Sequence, residues 1–235
     1  MADDVRYWAV IPAAGVGRRM GTAIPKQFLE LGGRTVLEYG LDALFSMDVL
    51  DGLVLVTADG GTPDPVRGSY TGRNLLLARG GKERCHSVLN GLQALVGRAA
   101  SDDWVLVHDA ARPCVRTSDL DLLVETVSGS EYGGLLGMPV YDTMKRADGN
   151  GLITGTLERE GMWRAFTPQM FRYRILRTVL QQAIEDGFEV TDEASALEHA
   201  GYTPQLVEGH ADNIKITRPD DLPLAEFFLA QQGRL

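Results

Sequence analysis

The sequence predicts an α/β domain: a mostly parallel β-sheet between two layers of helices. Three observations predict it. Short wholly apolar runs recur along the first half of the chain, as strands buried on both faces require. Segments with helical apolar spacing separate them. Glycine-rich turns follow the strand-like runs, at the edge where open α/β sheets bind ligands.

Tyr7 to Ile11 reads as the first buried strand, ended by Pro12 and the glycines after it. Thr35 to Met47 carries Val36, Leu37, Leu41, Leu44 and Phe45 at helical spacing. Leu53 to Val56 is the next strand, and Asn74 to Ala78 a third after a Pro/Gly-rich stretch. Glu83 to Val96 reads as a helix, Trp104 to His108 as the fourth strand, and Asp119 to Val127 as another helix. Beyond Pro139 the rhythm changes. Tyr141 to Gly161 is polar and glycine-rich, and Asp148-Gly149-Asn150-Gly151 is a turn signal between two short β-prone pieces, so residues 139–162 are expected to form a protruding hairpin arm, with a surface loop as the alternative, within a single domain spanning residues 1–235. Helical patterns return at Tyr173 to Ile184 and at Thr191 to Ala200, with Thr191 as N-cap. A last helix is expected from near Pro219.

With 235 residues, 44% of them apolar and 23% charged, the chain has an ordinary globular composition. No apolar run approaches the ~20 residues that span a bilayer, and the N-terminus lacks the basic and apolar regions of a signal peptide, so a cytoplasmic location is expected. Cys85 and Cys114 form neither a disulfide framework nor a zinc spacing, and are expected to be buried small hydrophobes. The net charge of −9 argues against a nucleic-acid partner. Yet Val5 to Leu29 contains no acidic residue and holds Arg6, Arg18, Arg19 and Lys26, which suits a compact anion.

The chemistry-bearing segments fit such an anion. Pro12-Ala13-Ala14-Gly15-Val16-Gly17-Arg18-Arg19 breaks a strand into a loop whose N–H groups and arginines can face phosphates, although glycine is also what any tight βα turn needs. It is neither a Walker loop nor GxGxxG. Pro25-Lys26-Gln27 can return a lysine to the same phosphates. His108-Asp109-Ala110-Ala111-Arg112-Pro113 puts Asp109 at a strand end, where it could cap a helix or hold Mg²⁺ beside a triphosphate. Arg112 is expected to brace that loop and His108 to belong to the core. Gly80-Gly81 and Ser87 open a helix and could meet a base or ribose. Asp212 and Lys215 form a fourth polar segment.

In this order the segments closely resemble the 2-C-methyl-D-erythritol 4-phosphate cytidylyltransferase family. The likeness rests on PAAGVGRRM at 12–20, PKQF at 25–28, GGKERCHSV at 80–88, VHDAARP at 107–113, DTMKR at 142–146, WRAFTPQ at 163–169, TDEASALE at 191–198 and EGHADNIKITRP at 208–219. It implies a Rossmann-like nucleotidyltransferase fold and transfer of CMP from CTP to the acceptor's phosphate in the non-mevalonate isoprenoid pathway, with Mg²⁺ as cofactor. It puts Arg19 and Lys26 at the triphosphate. Pro12, Ala13, Ala14, Gly15, Gly17, Gly81, Ser87, Asp109 and Ala110 would surround CTP, with Asp109 also the metal ligand. Thr143, Arg159, Asp212 and Lys215 would hold the acceptor. It further implies a homodimer in which the arm carries Thr143 and Arg159 to the partner subunit. Lys82 and His86 receive no role, and a single-function enzyme is expected. The nearest rival by resemblance is a ribitol 5-phosphate cytidylyltransferase; a non-catalytic nucleotide-binding regulator is the rival of another class.

Overall fold

The structure, a computed structural model, describes residues 5–15, 24–66 and 68–235. Its centre is a seven-stranded sheet. In chain order the strands are β1 (Tyr7–Pro12), β4 (Leu50–Thr57), β5 (Leu75–Arg79), β6 (Trp104–Val107), β7 (Gly133–Pro139), β10 (Trp163–Arg172) and β11 (Gln205–Glu208). Two short pairs stand apart: β2 (Glu30–Leu31) with β3 (Arg34–Thr35), and β8 (Met144–Ala147) with β9 (Ile153–Leu157). The spatial order of the main sheet is β11-β7-β10-β6-β1-β4-β5. All neighbours are parallel except β10, which runs antiparallel to both β6 and β7.

Side-chain alternation along β1 explains the three layers. Ala9 and Ile11 face one way, into a core shared with Leu37 and Leu41 of α1 (Val36–Phe45) and Leu120 and Leu123 of α3 (Thr117–Val127). Trp8 and Val10 face the other way, towards Val88 and Leu92 of α2 (Arg84–Gln93), Leu176 and Leu180 of α4 (Tyr173–Glu185) and Leu197 of α5 (Glu193–His199). A third cluster seats α6 (Asp221–Gln231) on α1 through Ala225, Leu229, Val36 and Tyr39. No helix among the described residues is long and apolar enough to cross a membrane.

Capping sets two helix starts. Thr35 and Glu38 form a reciprocal box at α1, and Asp192 and Ser195 form another at α5, each worth about 1 kcal/mol. The α5 cap is therefore Asp192, one residue beyond the expected Thr191, because its carboxylate side chain reaches the Ser195 amide. The last helix begins at Asp221, where the Asp221 carboxylate accepts from the Thr217 and Arg218 amides. The hairpin is present. Its turn closes with Gly151 N–H donating to Asp148 O and Asp148 N–H to Leu152 O, and β8 pairs only with β9 among the described residues.

Candidate active site

Several stretches of chain meet beyond the carboxyl ends of the central strands. The first loop leaves β1 with Ala13 N–H donating to Val56 O at 2.8 Å. The buried Gln27 amide then donates to Ala13 O at 2.7 Å and Gly15 O at 2.9 Å, so the single helical turn Lys26–Phe28 holds the start of the loop in place. Gly17 and Arg19 lie outside the described residues, and so do Val16 and Arg18.

The second stretch needs its glycines for space. A Cβ at Gly80 would stand 2.2 Å from Ala14 Cβ, and one at Gly81 2.4 Å from His86 Cβ. Gly81 N–H donates to Ser87 Oγ at 3.0 Å, and that hydroxyl donates to Glu83 O at 3.1 Å. Ser87 is buried and already holds the loop.

The third stretch follows β6. Asp109, 7% exposed, receives Arg84 Nε at 2.9 Å on one oxygen and Lys215 Nζ at 2.8 Å on the other, with Arg112 Nε 3.6 Å away. Burial alone would raise the Asp109 pKa; Arg84, Lys215 and Arg112 together hold it well below the usual carboxylate range. Arg84 also grips both carboxylate oxygens of Glu193, at 2.7 and 3.0 Å, and Glu193 is fully buried. Burial disfavours the Arg84 charge, but Glu193 and Asp109 outweigh it and raise its pKa. Ala110 is buried beside Asp109.

Beneath lies His108. Thr167 Oγ1 accepts from Asp109 N–H at 3.0 Å and lies 3.0 Å from His108 Nδ1, while His108 Nε2 lies 3.0 Å from Arg112 O. A carbonyl can only accept, so Nε2 carries the proton and Nδ1 accepts from the Thr167 hydroxyl. Burial pushes this imidazole down to about 4. His108 is thus the hydrogen-bonded core residue expected from the sequence, and Arg112 is the expected brace, donating to Asn213 O at 2.7 Å.

The C-terminal stretch closes the site. Ile216 N–H donates to Ala111 O at 2.8 Å, and Lys26 Nζ donates to Ile216 O at 2.8 Å. Lys26 and Lys215 therefore reach the same side of the fold from opposite ends of the sequence. Polar groups beside Lys215 line a cleft of about 170 Å³ that includes Arg84, Asp109, Thr167 and Asp192, and Lys26 is not among its lining residues. A wider hollow of about 350 Å³ adjoins it past Phe166, Arg164 and Thr217. Asp212 is held by side chains beside it. Its Oδ2 accepts two bonds from Arg116 and one from Gln232, and it is not among the residues lining either hollow. Thr143 and Arg159 are exposed on the hairpin and likewise line neither, with Arg159 Nη1 donating to Tyr141 O at the hairpin base.

Residues 7–231 match the family model described as IspD: 2-C-methyl-D-erythritol 4-phosphate cytidylyltransferase. The chain belongs to the IspD family. Among its relatives, the 2-C-methyl-D-erythritol 4-phosphate cytidylyltransferase of Hahella chejuensis is 49% identical, the match covering 97% of this chain and 94% of that protein. The one from Pseudomonas aeruginosa PAO1 is 50% identical, covering 94% and 95%. In three dimensions the IspD structure from Francisella tularensis superposes with a TM-score of 0.82 at 35% identity, covering 95% of this chain and all of the other. The Thermus thermophilus structure gives 0.78 at 33% identity, with 96% and 100% coverage.

Burial and ion pairing, rather than any local motif, mark further site residues. Arg84 and Glu193 fall within the matching segments yet carry no expected role, because charges in the first turn of a helix ordinarily face water. Gln27 sits beside Lys26, and Thr167 beside Pro168, with no local pattern marking them as ties between loops.

Proposed function

We propose that this cleft carries out the IspD reaction, transferring CMP from CTP to the 4-phosphate of 2-C-methyl-D-erythritol with release of pyrophosphate, a step in non-mevalonate isoprenoid synthesis. The observation that carries the proposal is the convergence of Lys26 on Ile216 O and of Lys215 on Asp109, which collects cations from both ends of the chain at one strand edge. Membership in the IspD family disfavours a ribitol phosphate acceptor.

An acceptor phosphate oxygen attacks the α-phosphorus of CTP, a new P–O bond forms, and the bond to the β-phosphate oxygen breaks. The attacking oxygen is already anionic, so no strong base is required. The difficulty is mutual repulsion of two phosphates and the charge growing on the leaving pyrophosphate, which fixed cations relieve. We assign Lys26 and Arg19 to the triphosphate. Pro12, Ala13, Ala14, Gly15 and Gly17 form the loop that cradles it, while Gly81, Ser87 and Ala110 border the nucleoside. Lys215 holds the acceptor phosphate in line. Asp212, held by Arg116, joins it at the acceptor.

The donor set suits Mg²⁺. Asp109 Oδ1 accepts only the Arg84 bond among the described residues and keeps a lone pair, and Mg²⁺ is commonly held by one carboxylate plus phosphate oxygens and water. Bound there, it would neutralise charge on the triphosphate. Arg84 fixes the rotamer of that carboxylate for the purpose.

The hairpin's exposed Leu152 and Ile153 support a homodimer, with the arm and its Thr143 and Arg159 completing the partner's acceptor site. Two free buried cysteines suit the reducing cytoplasm, where we place the enzyme. A pyrophosphate-release assay crossing the four ribonucleoside triphosphates with methylerythritol and ribitol phosphates tests the reaction. CTP with methylerythritol phosphate should be the productive pair; its silence, or faster turnover with ribitol phosphate, refutes the assignment.

A further inference from the structure

Beside the nucleotide loop, three chemically different donors stand together. Cys85 Sγ lies 3.5 Å from His86 Nδ1 and 4.0 Å from Glu83 Oε2, and His86 Nδ1 lies 4.0 Å from that same oxygen. It is the one such trio among the described residues. A tetrahedral ion with a thiolate bond of about 2.3 Å and imidazole or carboxylate bonds of about 2.0–2.2 Å has donor–donor edges of roughly 3.3–3.6 Å. The Cys85–His86 edge already has that length. The other two need a closure of about half an ångström by Glu83, whose exposed side chain is free to make it.

We propose that Glu83, Cys85 and His86 bind one zinc-class divalent cation through a thiolate, an imidazole and a carboxylate, with water in the fourth position. Sulfur and imidazole select Zn²⁺ or Co²⁺ over Mg²⁺ and Ca²⁺, which take oxygen. The charge balance is favourable: Glu83 and the Cys85 thiolate offset the ion, while the intervening Arg84 points its guanidinium to Asp109 and Glu193. Thiol deprotonation on binding releases the proton to solvent.

The site is coupled to the loop by contact. Gly81 packs on His86 with no room for a Cβ, and its N–H is held by Ser87. An ion that pins residues 83 and 86 removes the freedom this loop needs to admit a base, and so raises KM for CTP with little change in kcat. That consequence rests on the function proposed above; the binding does not.

Metal-free enzyme is titrated with Co²⁺, read by the thiolate-to-cobalt absorption band, and then with Zn²⁺ in competition. One equivalent should bind, Cys85→Ser should abolish the band, and His86→Ala should weaken affinity at least about tenfold. Absence of the band, or an undiminished one in Cys85→Ser, overturns the site. In Mg²⁺ assays Zn²⁺ should raise KM for CTP in the native chain, leave Cys85→Ser unaffected, and act on His86→Ala only at correspondingly higher concentration. Equal inhibition of all three places the effect elsewhere and overturns the coupling, even where the cobalt band stands.

Discussion

Lys215 Nζ and Asp109 Oδ2 are 2.8 Å apart, an ion pair between a C-terminal loop and the end of β6 at the floor of the cleft. A lysine so paired is held in one place before any substrate arrives. The second task proposed for it, meeting the acceptor phosphate, then needs little further ordering.

From that preorganisation, Lys215→Ala and Lys26→Ala are each expected to lower kcat at least about 100-fold, as loss of one fixed charge-stabilising group commonly does. Steady-state kinetics at saturating CTP check this, with circular dichroism confirming the fold. Near-native turnover in both variants removes the mechanism.

Glu193 is fully buried and takes both its carboxylate bonds from Arg84. Arg84→Met leaves that carboxylate without its partner, and losing one member of a buried pair costs about 3–5 kcal/mol. Urea denaturation should show this loss. The double variant Arg84→Met, Glu193→Gln should recover part of it, because no buried charge is then stranded. A double variant as unstable as the sum of the two singles contradicts the reading.

His108 titrates near 4 when folded and near 6.5 when unfolded. Between those values the unfolded chain binds the extra proton, so stability rises with pH there and is lost as pH falls from about 6.5 to about 4. The shift corresponds to about 3 kcal/mol. Asp109, whose folded pKa is depressed, adds its own loss only as pH falls below the ordinary aspartate range. Denaturation midpoints measured across pH 4 to 7 should slope upward in the native chain and flatten in His108→Gln. An unchanged slope in the variant assigns it to other groups.

The arm is testable by complementation. Arg159→Ala and Lys215→Ala proteins should each be nearly inactive, the first mainly through KM for the acceptor. If Arg159 serves the partner's site, mixed dimers rebuild one intact site, and equal mixing with subunit exchange restores roughly a quarter of native activity. No recovery, with exchange verified by sedimentation of tagged subunits, places Arg159 in its own subunit's site or outside any.

How much was legible from sequence varied with the local physics. β1, β4 and β6 carry buried apolar runs through the middle of the sheet, and the half-buried edge strand β5 keeps one from Leu75 to Ala78. β7 does not, because Gly133 and Gly134 stand where a Cβ would meet Met170 O at 2.3 Å and Gln205 O at 2.4 Å, so close strand approach replaced the apolar signature with glycine. β10 contains Pro168, normally evidence against an interior strand. A register shift between Ala165 and Gln169 accommodates it, and the same irregularity presents Thr167 to His108 and Asp109. Among site residues, Asp109 stood out because it ends a strand, and Lys26 because it follows proline. Arg84 and Glu193 did not, since what makes them matter is mutual burial between segments far apart in the chain.

The closing contact from Lys26 to Ile216 O has a consequence for how the protein comes into being. Synthesis runs from the N-terminus, so the glycine loop, Asp109 and most of the sheet leave the ribosome well before residues 212–217. Until that segment docks against Ala111, the nascent chain carries a nucleotide cradle without the lysine that would present an acceptor. On the role proposed for Lys215, catalytic competence is a property of the nearly finished polypeptide, and a translation arrest ahead of Asp212 would yield an inert product rather than a weak enzyme.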